Sequence, residues 1–227
     1  MKIACLLVLA SLVLASAACA TNYQEVLYPH SSGAYGNNLI AMRGVPFDPD
    51  PISVFGDVNL IDGALSRLTP TSGNTETYFS FQEPGGPFGG MLLGDGYMIQ
   101  VAGSQVTISY DGVADGVPDG AGQMTDMWVS LPGVTGREGG YHMVGHPFDH
   151  NVLWANVQVT DGTQTIPVMD AVNLGWLDGY WAYLDAPTQS TFNVDPDEIM
   201  GSAYMEPGRA YIVFTRKSNI ALIIPAN

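Results

Sequence analysis

Gly139-Gly-Tyr-His-Met-Val-Gly-His-Pro-Phe-Asp149 has an earlier counterpart in Asn38-Leu-Ile-Ala-Met-Arg-Gly-Val-Pro-Phe-Asp48. Both run as a short apolar strand into Gly-x-Pro-Phe-Asp, the kind of trace an internal duplication leaves. Further blocks repeat around them in the same order. Val26-Leu-Tyr-Pro29 answers Val129-Ser-Leu-Pro132, and Pro51–Phe55 answers Val152–Ala155. The aromatic block Tyr78–Glu83 answers Tyr180–Asp185, and Gly94–Val101 answers Pro207–Phe214. Each half closes on a last strand, Gln105–Tyr110 or Asn219–Pro225. Frequent turn signals and the many Gly and Pro residues, 27 and 15, suit antiparallel sheets. The expected fold is mostly β, with two related antiparallel β-sandwich or barrel units at 21–110 and 126–227. Each unit is predicted to carry one short helix: Thr165–Val172, capped by Thr165, and the weaker Asp62–Leu68.

Residues 1–20 read as a secretory signal peptide, with Lys2, an apolar run from Ile3 to Leu14, and the cleavage site Ala18-Cys19-Ala20. The run is too short to span a bilayer. Cys19 also allows a lipoprotein reading, with the lipid on that Cys. Both cysteines, Cys5 and Cys19, fall in the leader, so the mature chain is expected to hold together without disulfides. The formal charge of the whole chain is −15. Such a surface repels nucleic acid and anionic membranes.

Between the halves, 111–125 is acidic and Gly-rich and reads as a linker. Asp111, Asp115 and Asp119, each followed by Gly, resemble a calcium loop, although their spacing by four does not follow the alternate-residue pattern of an EF-hand. Calcium is the one cofactor the sequence suggests.

The Gly-x-Pro-Phe strand ends, together with Pro207-Gly-Arg-Ala-Tyr-Ile-Val-Phe214, resemble uncharacterised secreted bacterial β-modules found in large surface and extracellular proteins. The resemblance covers most of 126–225 and, more faintly, 25–110. It implies extracytoplasmic β-structure and carries no catalytic residue.

His142, His146 and His150, beside Asp149, have spacing that zinc could use. Their counterparts in the earlier copy, Ala41, Val45 and Pro49, are not ligands, so the motif serves the backbone. Trp128, Trp154 and Trp176 have no aromatic echo in the first half and are the candidate sugar-stacking residues. Gly-x-Ser-x-Gly, His-Glu-x-x-His and P-loop motifs are all missing from the sequence. The expected function is a secreted, non-catalytic structural or adhesive protein that self-associates or joins a cell surface, as a surface or filament subunit. A carbohydrate-binding module and a calcium-binding surface lipoprotein are the alternatives.

Overall fold

The computed structural model describes residues 20–56, 64–68, 74–78, 88–114, 125–134 and 138–226. The predicted leader up to Cys19 lies outside them. The first unit runs β1 (Ala20–Leu27), β2 (Gly36–Ala41), β3 (Gly44–Pro46), α1 (Pro51–Val54), β4 (Leu65–Leu68), β5 (Thr75–Thr77), β6 (Gly96–Val101) and β7 (Val106–Ala114). The second opens with β8 (Met127–Leu131), β9 (Gly140–Gly145) and β10 (Val152–Leu153), then a 3-10 turn (Trp154–Asn156). It continues through β11 (Gln158–Thr160), β12 (Thr165–Pro167), α2 (Val168–Asn173), β13 (Trp181–Asp185) and β14 (Ser190–Val194). It ends with α3 (Pro196–Met200), β15 (Tyr204–Met205), β16 (Ala210–Thr215) and β17 (Ile220–Ile224).

The strand orders reveal the duplication. One sheet is β1-β7-β3 in the first unit and β8-β17-β11-β12 in the second; the other is β2-β6-β4-β5 and β9-β16-β13-β14. All these pairings are antiparallel. Each unit has its own apolar core. The first gathers Leu27, Phe55, Leu65, Phe88, Tyr97 and Ile108, while the second is built around Trp154, Trp181, Tyr211 and Leu222. In β6 and β16 the inward residues alternate, Tyr97 and Ile99 in one and Tyr211 and Val213 in the other, as half-buried strands require.

Pairing register corrects the alignment at its centre. Ile40 faces Tyr97, and Val144 faces Tyr211. Ile40 and Val144 are therefore counterparts, and Ala41 matches Gly145. Gly44 falls three residues beyond that match and opens β3, so the two Gly-x-Pro-Phe segments do different work. Phe148 is buried at 2% exposure, but Phe47 is 60% exposed. The expected aromatic match also shifts: β4 and β13 hold the same place, opposite Met98 and Ile212. Tyr78 packs in the first core, and 79–83 lie outside the described residues.

The helices differ as well. Leu65–Leu68, expected as helix, forms strand β4, because pairing with β6 and burial of Leu65 outweigh a weak helical pattern. The first unit's helix is α1 instead, where the Asp50 side chain accepts from Ile52 N and Pro51 opens the first turn. Thr165 lies in β12, and Pro167 stands at the N-cap of α2. The second unit adds α3, closed by a reciprocal capping box between Asp195 and Glu198. The predicted linker starts too early, since Asp111–Ala114 continue β7.

The units meet across an approximate two-fold axis. Ala41 N donates to Gly208 O (2.9 Å), and Gly145 N donates to Gly94 O (2.8 Å). The bridges Ile40–Arg209 and Val144–Asp95 are related in the same way. Gly94 and Gly208 share a left-handed φ, +79° and +73°, which lets each turn present its carbonyl to the other unit. At the axis, a Cβ on Gly96 would stand 2.8 Å from that of its own counterpart, Ala210. Gly96→Val should therefore lower stability by about 1–3 kcal/mol through overpacking. Gly56→Ala, where the added Cβ meets only Ile52 O at 3.3 Å, should change little. Urea unfolding of both variants checks this, and equal stability would mean the axis is not close-packed.

Candidate functional site

A hollow of about 280 Å³ opens in the second unit between β13, β14, α3 and the β15–β16 turn. Its floor is tied to the core of the unit. Ile199 of α3 and Met205 of β15 are fully buried and anchor their elements to the core. β15 pairs with β10, setting Tyr204 opposite Leu153. The phenol of Tyr211 accepts from Glu206 N (2.9 Å) and donates to Tyr204 O (3.4 Å). Burial pushes the Tyr211 hydroxyl up to about 12, so it stays a neutral phenol at physiological pH.

Tyr97 repeats this device in the first unit, accepting from Leu92 N at 2.7 Å, again five residues back. Both tyrosines thus tie down the turn that reaches across to the other unit.

Arg209 forms one wall of the hollow. Its guanidinium pairs with Glu206 at 2.9 Å and lies 4.5 Å from the centre of the Tyr183 ring. At the equivalent positions of the first unit stand Asp95 and Arg67, paired at 3.2 Å. The charge has moved to the other strand, and an ion pair has become a cation–aromatic contact. Glu198, Asn151, Ser202 and the half-exposed Tyr204 complete the polar lining. Glu198 Oε2 accepts from Asp195 N.

The residues singled out from sequence are not brought together. Trp154 is fully buried, in edge contact with Trp181 at 4.1 Å, so it is a core residue and no sugar platform. Trp176 is 8% exposed, with Lys217 Nζ 3.8 Å from its ring centre. Only Trp128, 60% exposed on β8, keeps an open ring among the three. Asp111 sits in β7, where its carboxylate accepts from Asn22 Nδ2 (2.9 Å). Asp115 and Asp119 lie outside the described residues. Among the described residues, no group of three His, Cys, Asp or Glu is placed to hold a metal.

His142 and His146 are buried. His142 contacts Thr215 Oγ1 through Nε2 (3.2 Å), and His146 Nε2 donates to His150 O (2.6 Å). Burial depresses both rings from 6.5 to about 4. Arg209, Tyr204 and α3 escaped the sequence reading, although Asp195-Pro-Asp-Glu198 is a legible capping signal.

No family model, curated protein or solved structure matches the chain. The site is therefore read from its own chemistry.

Two outcomes follow. Tyr97→Phe and Tyr211→Phe should each cost about 1–3 kcal/mol, by similar amounts, since each strands a backbone N–H. Thermal melts check this, and one silent variant would break the equivalence. For the histidines, the unfolded chain binds more protons than the folded one between pH 6.5 and about 4. Stability should fall as pH drops through that window. Glu25, raised to about 7 by burial against the lowering effect of Arg43, works in the opposite sense, losing stability as pH rises from 4.5 to 7. Urea titrations across pH should show a shallower acid loss in His142→Gln than in the parent. An unchanged slope would mean His142 does not resist protonation.

Proposed function

We propose that the chain is a secreted, non-catalytic structural or adhesive protein that self-associates through β14 at a cell surface. The observation that carries this reading is the edge strand itself. Ser190-Thr-Phe-Asn193 is exposed throughout, holds no charged residue, and ends its sheet with only β13 beside it among the described residues. Natural proteins usually blunt such edges with charge, Pro or a bulge. The ends of β2 and β9, by contrast, are engaged by bridges from the opposite unit. The like charge of neighbouring copies opposes association, which suits a joint made of backbone and apolar groups. Secretion, implied by the leader and by the resemblance to surface β-modules, gives such assembly its setting.

Raised salt should promote assembly by screening the repulsion. Light scattering of the protein lacking residues 1–20, across a sodium chloride series, is the test. The double variant Thr191→Lys, Asn193→Lys should stay monomeric where the parent assembles. A parent that is monomeric at every salt level sinks the structural reading, and a variant that assembles like its parent places the joint elsewhere.

A further inference from the structure

We infer that the hollow between Tyr204 and Arg209 binds a neutral saccharide. Its lining selects this chemistry by elimination. Carboxylate oxygens of Glu198 and Glu206 accept from hydroxyls, while Asn151 and Ser202 can donate as well as accept. None of the polar bonds described within the chain engages the Asn151 or Ser202 side chain, so both are available to a ligand. The exposed ring of Tyr204 offers the apolar face on which a sugar ring rests.

Anionic ligands are disfavoured, since the one cation present is already held by Glu206 and two carboxylates line the same space. A metal cation or an amine would meet the Arg209 guanidinium, and that charge already occupies the Tyr183 ring. An apolar ligand would strip water from the charged groups without replacing their hydrogen bonds. A polyhydroxylated neutral ring meets none of these penalties. The site belongs to the second unit alone, because Arg67 stands where the hollow has Tyr183, and Asp95 where it has Arg209. This binding does not depend on the edge pairing of β14.

The test is a panel of neutral, sialylated and sulfated oligosaccharides against the protein lacking residues 1–20, at low salt where repulsion keeps copies apart. Binding is followed by amide chemical shifts and by calorimetry. A neutral oligosaccharide should bind with shifts centred on Asn151, Ser202, Tyr204 and Arg209. Tyr204→Ala and Asn151→Ala, both at exposed positions, should each weaken binding by about tenfold, with unchanged melting profiles. Trp128→Ala should bind like the parent. Binding of no neutral sugar, binding of acidic glycans only, or loss in Trp128→Ala with retention in Tyr204→Ala would each overturn the assignment.

Discussion

Two backbone hydrogen bonds, Ala41 N to Gly208 O and Gly145 N to Gly94 O, set the terms for everything around them. Each joins the end of an edge strand in one unit to a left-handed glycine turn in the other. They can form only if the strand ends approach the opposite turns at backbone distance. That is why Ala41, Gly96, Gly145 and Ala210 are all small. A Cβ on Gly145 would lie on the Asp95 carbonyl and 2.7 Å from Ala41 Cβ. Counterpart meeting counterpart is the geometry of an isologous interface, here contained within one chain. The same contact engages the ends of two of the four outer strands of the β2-β6-β4-β5 and β9-β16-β13-β14 sheets. Gln189 adds to this contact. Held at φ 57°, it donates from Nε2 to Asn37 O and accepts from Asn37 N, extending the edge of β2 with a side-chain amide.

With the axis fixed, residues away from it were free to differ. The turn that carries Gly94 or Gly208 is held in both units by a tyrosine hydroxyl five residues from the amide it accepts. The next pair outward has already diverged, from Arg67–Asp95 to Tyr183–Arg209. Beyond it the second unit, among the described residues, adds β10, the 3-10 turn and β12 to the chain before β13. Trp154 belongs to that insertion and fills the space between Trp181 and Tyr211, at 4.1 and 5.0 Å between ring centres. The hollow is thus a product of asymmetry laid over a symmetric frame.

Much of the frame was legible in the sequence, and the site was not. Glycine and tyrosine before the last hairpin marked Gly94–Val101 and Pro207–Phe214 as counterparts, and β6 and β16 bear that out. These positions are local: a turn glycine and an inward tyrosine sit at fixed spacing. Gly-x-Pro-Phe misled because it matched letters across strands whose pairing is shifted by three residues. Phe47 follows β3 at the edge of one sheet and emerges, whereas Phe148 follows β9 of the other and is buried. The unechoed tryptophans misled for a different reason. Lacking a counterpart, they looked like surface additions, yet an insertion needs its own core. Arg209 and Tyr204 gave no sign, because a hollow formed by four elements has no spacing in the chain.

The cations explain why surface chemistry here is either neutral or backbone-led. Five Lys and Arg residues lie within the described residues, and each serves at least two partners. Arg43 pairs with Glu25 and lies over Tyr23; Arg67 does so with Asp95 and Phe88; Arg209 with Glu206 and Tyr183. Arg216 binds Asp178 beside Phe214, and Lys217 binds Asp161 above Trp176. A cation held on an aromatic face and a carboxylate is poorly placed to recruit an external anion as well. What remains outward is a surplus of carboxylates. Charge on this surface keeps copies apart, whereas any lasting contact must come from unpaired strand backbone, apolar rings or hydroxyl-rich ligands. Uncharged β14 and the Tyr204 hollow lie side by side, sharing Val194, where those are the groups on offer.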